Sequence, residues 1–242
     1  MAYALTEGTV GSQQLTPYNL PDTTARMASG FIAHAVDPYW GGGEFMYVKA
    51  GGSIRQFGLV VITPALSTNK YEMVATEVPN TANLGRSVAV AMVPASSGQY
   101  LWVCVGGLIP VNCSASVAAD TAFGIAAAGQ GGAIGNGKQI VNARSIIAAA
   151  ATVAKSNCVA NSGSTRLQIS GADGWFAGAY LSGTGIAAGT TVSDIDPSGT
   201  TVTLSAATTA AVNGTVTATY NNGTVYYNIA HIQRPFAQGQ IV

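Results

Sequence analysis

The feature that most limits the fold is the length of the apolar runs. Between Phe31 and Ala154 these runs are six or seven residues long, rich in valine and aromatic residues, and separated by glycine, as in FGLVVI, SVAVAMV and QYLWVCV. Runs of this length and composition are typical of β-strands. We therefore predict an all-β protein built on a small β-barrel or sandwich domain.

Two segments in this region leave room for more than one local structure. The stretch ARSIIAAAATVAK is the one serious candidate for a helix, because alanine has the highest helix propensity. We favour a strand that leads into a loop, with the helix as the alternative. The pair Gly106-Gly107 separates two apolar runs and predicts a hairpin in which Cys104 and Cys113 lie too far apart for a disulfide.

A near-repeat marks the second half of the chain. The tetrapeptide Gly-Thr-Thr-Val occurs at Gly189–Val192 and again at Gly199–Val202. The intervening Asp196–Gly199 has aspartate, proline and glycine at the positions that a type I turn prefers. Threonine and valine favour strands, so the repeat predicts the two arms of a hairpin, with a bulge or strand end near Ser193.

Breaks in composition divide the chain. Polar segments at 156–165 and 221–223 predict that the residues between them are an inserted β module, which the rest of the chain does not need for folding. The N-terminal residues show no strand or helix period, and they predict an extended arm that adds little to the core. The predicted parts are the N-terminal arm at 1–30, a barrel or sandwich domain at 31–155 plus 224–242, and the inserted module at 156–223.

The charge and cysteine content of the chain limit the functions that it can have. Only 8% of the residues are charged, and ten basic residues balance ten acidic ones, which argues against nucleic-acid binding. A surface with so little charge promotes association. No apolar run approaches the roughly 20 residues of a membrane span, and we expect no signal peptide. Three scattered cysteines suit folding in a reducing cytoplasm.

Patterns that could carry chemistry are incomplete. The loop GAIGNGKQ nearly matches a phosphate-binding loop, but Gln139 stands where a Ser or Thr must hold magnesium. Asp194 and Asp196 have too few acidic neighbours for a calcium site. His34 and His231 are the only histidines, and we interpret them as structural. We therefore predict no catalytic residue, no cofactor and no metal, and a chain that is not an enzyme.

Aromatic and proline residues supply the candidate interface contacts. Trp102 alternates with its neighbours inside an apolar run and is expected in the core, whereas Trp40 and Trp175 stand beside glycines and turn residues. Tryptophan is enriched at binding hot spots. The predicted interface residues are Trp40, Trp175, Phe176 and Tyr180, together with Pro17, Tyr18 and Pro21 of the arm.

Several phrases resemble a known family. DPYWGGGEFMYVKAGGSI, then GRSVAVAMVPASSGQYLWVCVGGLIPVNCSASVAADTAFGIAA, then GKQIVNARSI, are similar to segments of the capsid decoration (cement) proteins of tailed bacteriophages. The predicted insert resembles modules found in many phage virion proteins. The resemblance implies a β-rich protein that binds the outside of an assembled head and reinforces the junctions between capsid subunits.

These observations give a leading hypothesis and two alternatives. The leading one is a decoration protein on the capsid exterior, made in the host cytoplasm, whose partners are the major capsid protein and itself. The family favours a trimer, with a dimer as the second choice. The first alternative is a host-recognition module of a tail fibre or spike that binds glycans through Trp175, Phe176 and Tyr180. The second is a virion glycan hydrolase, which would need two carboxylates across a cleft.

Overall fold

The chain folds entirely from β-strands wherever its structure is described. A computed structural model describes residues 4–5, 20–37, 39–67 and 70–239. Every regular element in these ranges is a strand, which confirms the all-β class, and no helix in them could span a membrane. The strands are β1 (Ala4–Leu5), β2 (Ile32–Asp37), β3 (Gly41–Ala50), β4 (Leu59–Ser67), β5 (Lys70–Glu77), β6 (Val88–Ala91), β7 (Tyr100–Cys113), β8 (Thr121–Ala127), β9 (Gln130–Gly132), β10 (Gln139–Ile147), β11 (Thr152–Ala160), β12 (Arg166–Gln168), β13 (Tyr180–Ser182), β14 (Val192–Ile195), β15 (Thr201–Leu204), β16 (Val212–Thr219) and β17 (Tyr226–Ala237).

The larger sheet rolls into two closed rings. Its eleven strands follow the order β1-β2-β3-β5-β4-β6-β7-β17-β10-β8-β9. Pairing of β3 with β7 closes the first ring (β3, β5, β4, β6 and β7), and pairing of β7 with β9 closes the second (β7, β17, β10, β8 and β9). Ring closure satisfies the backbone hydrogen bonds that an open sheet leaves at its edges.

Strand β7 is common to both rings. It continues through Gly106-Gly107, so the predicted hairpin at this pair is wrong. Gly107 has a φ of 124°, and a Cβ there would lie 2.9 Å from the carbonyl oxygen of Gly42. The pair therefore serves close packing of β7 on β3 rather than a turn. Cys104 and Cys113 are free thiols at two positions of one strand, about 30 Å apart at 3.3 Å per residue, so the prediction of no disulfide is confirmed.

The smaller sheet contains six strands in the order β13-β16-β11-β12-β15-β14. A bridge between Tyr180 and Thr191 joins its two ends. The predicted hairpin is confirmed as β14 and β15, with the amide of Gly199 donating to the carbonyl of Asp196 at 2.9 Å. Its register shifts between Val192 and Asp194, where the bulge was expected.

The smaller sheet begins earlier than the polar break suggested. The favoured strand in ARSIIAAAATVAK is present as β10, and after a turn β11 begins at Thr152 rather than after 155. Thr152 pairs with Thr219, so the chain enters and leaves this sheet on adjacent strands. Such an arrangement is typical of an inserted unit. That the segment is a separate domain, and that the remainder folds without it, stay predictions.

An aromatic cluster joins the two sheets. The ring of Phe176, from the smaller sheet's side, packs edge-on against Phe57, Tyr220 and Tyr227, with centroids 5.8, 5.1 and 5.6 Å away. The hydroxyl of Tyr220 donates to the carbonyl of Gly174 at 2.7 Å. Aromatic pairs of this geometry stabilise beyond the area they bury. The two sheets therefore share part of one core.

The segment 20–30 is bound to the first ring, which corrects part of the predicted arm. Asp22 exchanges two backbone hydrogen bonds of 2.8 Å with Tyr100, and its carboxylate accepts one from the hydroxyl of Tyr47. Ser29 Oγ bonds both the amide and the carbonyl of Met73 at 2.8 Å. Burial raises the pKa of the Tyr47 phenol, which keeps it protonated as a donor. Pro17 and Tyr18 lie outside the described residues.

We predict that Phe176→Ala lowers the melting temperature of the whole chain. Loss of a buried phenylalanine costs about 3–5 kcal/mol, and here the cavity would lie between the two sheets. Calorimetry should show a single transition at lower temperature, whereas Phe236→Ala, at a ring that is 41% exposed, should change it little. Two separate transitions, of which only one moves, would contradict the shared core.

We predict different effects from two N-terminal truncations. Removal of residues 1–19 takes the two-residue strand β1 from the edge of the larger sheet and should lower the melting temperature only slightly, because the hydrogen bonds of Asp22 and Ser29 to the first ring remain. Removal of residues 1–30 should lower it, since several hydrogen bonds worth about 1 kcal/mol each are lost together. Thermal unfolding followed by circular dichroism distinguishes the two. Equal melting temperatures for both truncated chains would show that the segment contributes nothing.

Candidate partner-binding surface

The first ring opens at one end into an apolar cavity of about 330 Å³, here called the ring mouth. Its wall comes from neighbouring strands, through Met46 of β3, Ile62 of β4, Met73 of β5 and Val105 of β7. Mouths of β-barrels are common binding sites. Methionine suits such a site because its flexible, polarizable side chain adapts to what it contacts. The remaining lining residues are Ile32, Glu44, Pro64, Ser87, Val88, Arg234 and Pro235.

The β4–β5 hairpin projects beyond the ring and extends the apolar wall. Strand β4 pairs with β6 only over Leu59–Val61, and β5 pairs with β3 only at Val74 and Ala75. Further out, Leu66 and Tyr71 lie opposite each other and are 67% and 75% exposed. Side chains alternate along a strand, so both lie on the face that carries Pro64 and Met73. We call the outer part of this hairpin, 64–67 and 70–73, the lip.

Each backbone edge of the lip is blocked at one position. The backbone groups of Met73 bond to Ser29 rather than to β4, which means that those of its register partner Pro64 also point away from the hairpin. Proline has no amide to donate to an added strand. Proline on an edge strand is a common protection against unwanted pairing. At Pro64 and Met73 a partner would therefore contact the lip through side chains, whereas the backbone groups of Leu66 and Tyr71, two residues further out, also point away from the hairpin.

An ion pair lies at the rim of the mouth. Arg234 donates to both carboxylate oxygens of Glu44, from Nη2 at 2.7 Å and from Nε at 3.1 Å. The Arg234 guanidinium holds the pKa of the Glu44 carboxyl below its usual range. Both charges are matched by each other, and such forked pairs have well-defined geometry. The mouth thus presents an apolar wall without an excess of either charge.

A buried carboxylate supports the lip from its other face. The side chain of Glu72 is only 4% exposed and accepts hydrogen bonds from Lys49 Nζ at 2.9 Å and Tyr100 at 3.4 Å. Lys70 Nζ lies 3.2 Å away. The bond from Lys49 is the main cause that lowers the pKa of Glu72, despite the opposing effect of burial. Lys49 belongs to the ring and Glu72 to the lip, so this contact fixes where the lip stands.

Three of the predicted interface residues are buried instead, and those predictions are corrected. Trp40, Trp175 and Phe176 are 5%, 1% and 0% exposed. The indole of Trp175 donates to the carbonyl of Val153 at 3.0 Å, which draws its ring into the interior. Tight turns beside glycine predicted exposure, but here these turns direct the rings inward. None of the three side chains offers a surface on which a partner or a sugar could stack.

The other predicted interface residues give no further surface. Tyr180 is partly buried within β13, where it pairs with Thr219. Pro21 is partly buried at the start of the segment that lies on the first ring. The residues that the sequence reasoning missed are those of the mouth and lip. Pro64 was the available signal, because proline inside a strand pattern indicates an edge strand.

Asp196 closes a turn, and Cys104 and Cys113 are buried. The carboxylate of Asp196 accepts backbone hydrogen bonds from Thr200 and Thr201, both at 3.0 Å, so it closes the turn. Burial raises the pKa of the Cys104 and Cys113 thiols to about 12. No cluster of three or more His, Cys, Asp or Glu suited to a metal occurs in the described part of the chain.

The loop that nearly matches a phosphate-binding loop lies between two strands. It connects β9 to β10, whereas a phosphate-binding loop precedes a helix. Its lysine, Lys138, donates to the side-chain oxygen of Asn80 at 2.9 Å.

No protein-family model, curated protein or solved structure matches this chain.

We predict that Glu72 makes stability depend on acid pH. A carboxyl whose pKa is lowered in the folded state stabilises fully above its unfolded pKa of about 4.3, and this contribution is lost as the pH falls through the folded pKa. Urea unfolding should therefore show a large loss of stability for Glu72→Gln at pH 7 and a smaller one near pH 3. The loss of stability caused by Lys49→Met should likewise be smaller near pH 3 than at pH 7. A loss of equal size at both pH values would contradict this role.

Proposed function

We propose that this chain is a virion structural protein that binds the outer surface of a tailed-phage head and stabilises the junctions between capsid subunits. The observation that carries the proposal is the ring mouth with its lip, where Leu66 and Tyr71 are largely exposed. Contiguous exposed apolar surface on a monomer marks a site of protein interaction. The resemblance of the sequence to decoration proteins supplies the identity of the partner.

The chemistry of the surface indicates how it binds. Interface centres are depleted of charge and enriched in tyrosine and methionine, which is the composition of the mouth and lip. The charges near this surface are paired, Glu44 with Arg234 at the rim, and Glu72 with Lys49 and Lys70 on the other face of the lip. Binding therefore depends on burial of apolar area and not on long-range attraction. The proposal assigns no catalytic reaction to the chain.

Its partners are the major capsid protein and further copies of itself. A head lattice repeats each junction many times, so linked copies attach more firmly than a single contact would allow. We propose a closed homo-oligomer, a trimer in preference to a dimer, on the capsid exterior. The chain would be made in the cytoplasm of the host bacterium and join the head after assembly.

We predict that Leu66→Ser and Tyr71→Ser release the protein from purified empty heads. An apolar hot spot contributes about 2 kcal/mol, so each change should weaken co-sedimentation roughly 30-fold. Both side chains are exposed, and their replacement should barely affect stability. Val159→Ser is the matched control, because Val159 is 46% exposed on the smaller sheet.

The same co-sedimentation assay tests whether attachment is apolar or electrostatic. A rise in salt from about 50 to about 500 mM should change attachment little, because screening acts on charged contacts. Release at moderate salt, or unchanged binding of both lip variants, would contradict the proposal. Co-sedimentation with tails and not with heads would instead favour the host-recognition module. If chemical crosslinking on heads yields only monomers, the proposed homo-oligomer is wrong.

A further inference from the structure

A second concave site lies where the two sheets meet. This junction cleft has a volume of about 100 Å³. One wall is the loop between β2 and β3, and the other is formed by two turns of the smaller sheet, at 171–175 and 197–199. The residues that matter for its chemistry are Tyr39, Trp40, Asp173, Trp175 and Ser198. Junctions between packed units are frequent ligand sites.

The walls of the cleft are held rigidly by carboxylates that belong to the loops themselves. Asp37 Oδ1 accepts hydrogen bonds from the amides of Tyr39 and Trp40, both at 2.8 Å. Across the cleft, the Asp196 side chain binds the hydroxyl of Ser198 at 2.8 Å and the amide of Thr200 at 3.0 Å. A preformed site avoids the entropy cost of ordering on binding.

The cleft is amphipathic. Tyr39 is 50% exposed, and its ring stands edge-on to the buried ring of Trp40, with centroids 4.8 Å apart. The side chain of Asp173 is 66% exposed. Its carboxylate oxygen Oδ2 lies 3.9 Å from Lys155 Nζ, at the limit of an ion pair. The site therefore combines an aromatic surface with a hydrogen-bond acceptor that is only loosely held.

These properties restrict the ligand. The volume of about 100 Å³ is smaller than the roughly 150 Å³ of a closed cavity that holds benzene, so this half-open cleft seats part of one six-membered ring and leaves the rest of the ring in solvent. An entirely apolar ring would desolvate Asp173 without a partner. An anion would be repelled by Asp37 and Asp173. A cation would compete with Lys155 for the carboxylate of Asp173, so displacement of the sugar by a cation is one outcome of the test.

We infer that the junction cleft binds one pyranose ring of a neutral saccharide. The C–H face of the sugar packs on Tyr39, and hydroxyl groups at its edge donate to the carboxylate of Asp173. This contact does not involve the buried ring of Phe176, and the buried ring of Trp175 only supports the wall. The inference is independent of the proposed function, because it concerns the isolated chain in the absence of heads.

Saturation-transfer NMR on the full chain tests it. Methyl α-glucoside, methyl α-galactoside and N-acetylglucosamine serve as probes at millimolar concentration. We expect transfer to the C–H protons of at least one sugar, and its loss in Tyr39→Ala and in Asp173→Asn. Tyr71→Ala is the matched control, an exposed tyrosine on the lip, and should keep the signal. Unchanged melting temperatures show that the variants are folded.

Three results would overturn the inference: no transfer to any of the three sugars, transfer that survives both cleft variants, or displacement of the sugar by tetramethylammonium ions.

A column experiment identifies the source of the sugar ring. Retention of the wild-type chain on a column of immobilised polysaccharide, eluted by the free methyl glycoside, would indicate a polymer as the source of the ring. Binding of the free sugar without such retention would indicate a small saccharide. Either source supports the same chemistry.

Discussion

The structure depends on strand β7, which forms a wall of both rings. Its first half pairs with β3 and β6, and its second half pairs with β17 and β9. The change of partners takes place around Gly106 and Gly107. A side chain at Gly107 would collide with the backbone of Gly42 and Gly43 at 2.9 and 3.0 Å, and its φ of 124° also favours glycine. This close approach lies at the end of the β3–β7 ladder that closes the first ring.

The ring mouth exists because the strands of the first ring differ in length. Strands β4 and β5 have nine and eight residues, whereas β6 has four, so the hairpin outgrows the ring that it helps to close. The excess becomes the lip, and the side chains that would be core in a longer barrel become the wall of an open cavity. Glu72 then anchors the lip to Lys49 on the ring. The exposed apolar surface is therefore held in place and is not a loosely packed end of the sheet.

Local chemistry in the sequence predicted the elements better than their connections. Valine-rich runs between glycines indicated strands, and the Asp196–Gly199 turn with its flanking threonines indicated the β14–β15 hairpin. Both depend on interactions between near neighbours, which a single sequence records. Gly106-Gly107 was misjudged because the same glycines that permit a turn also permit two backbones to touch. Only the position of Gly42, more than sixty residues away, distinguishes these two uses.

The candidate sites were harder to predict for the same reason. Trp175 and Phe176 stand among glycines and were expected at the surface, but Phe57, from the turn before β4, and Tyr227 of β17 cover the Phe176 ring. Tyr71 lies in an ordinary alternating run, and nothing local shows that β5 extends beyond its neighbours. Exposure depends on which strands lie alongside, and this is decided by long-range pairing.

The aromatic cluster gives the two candidate surfaces a fixed relation. Phe176 and Tyr220 come from the smaller sheet's side and Phe57 from the larger, and their rings interlock at the junction. The junction cleft draws its walls from both sheets, so it exists only while they stay packed. A partner held at the ring mouth would then also fix the orientation of the cleft, because no flexible linker separates them: β10 leads into β11, and β16 into β17, through turns of only a few residues. A chain attached through the mouth would thus present the cleft in one direction, and many copies on a lattice would present it repeatedly. Weak binding of single sugar rings becomes effective under that condition, because the strength of attachment grows with the number of sites engaged together.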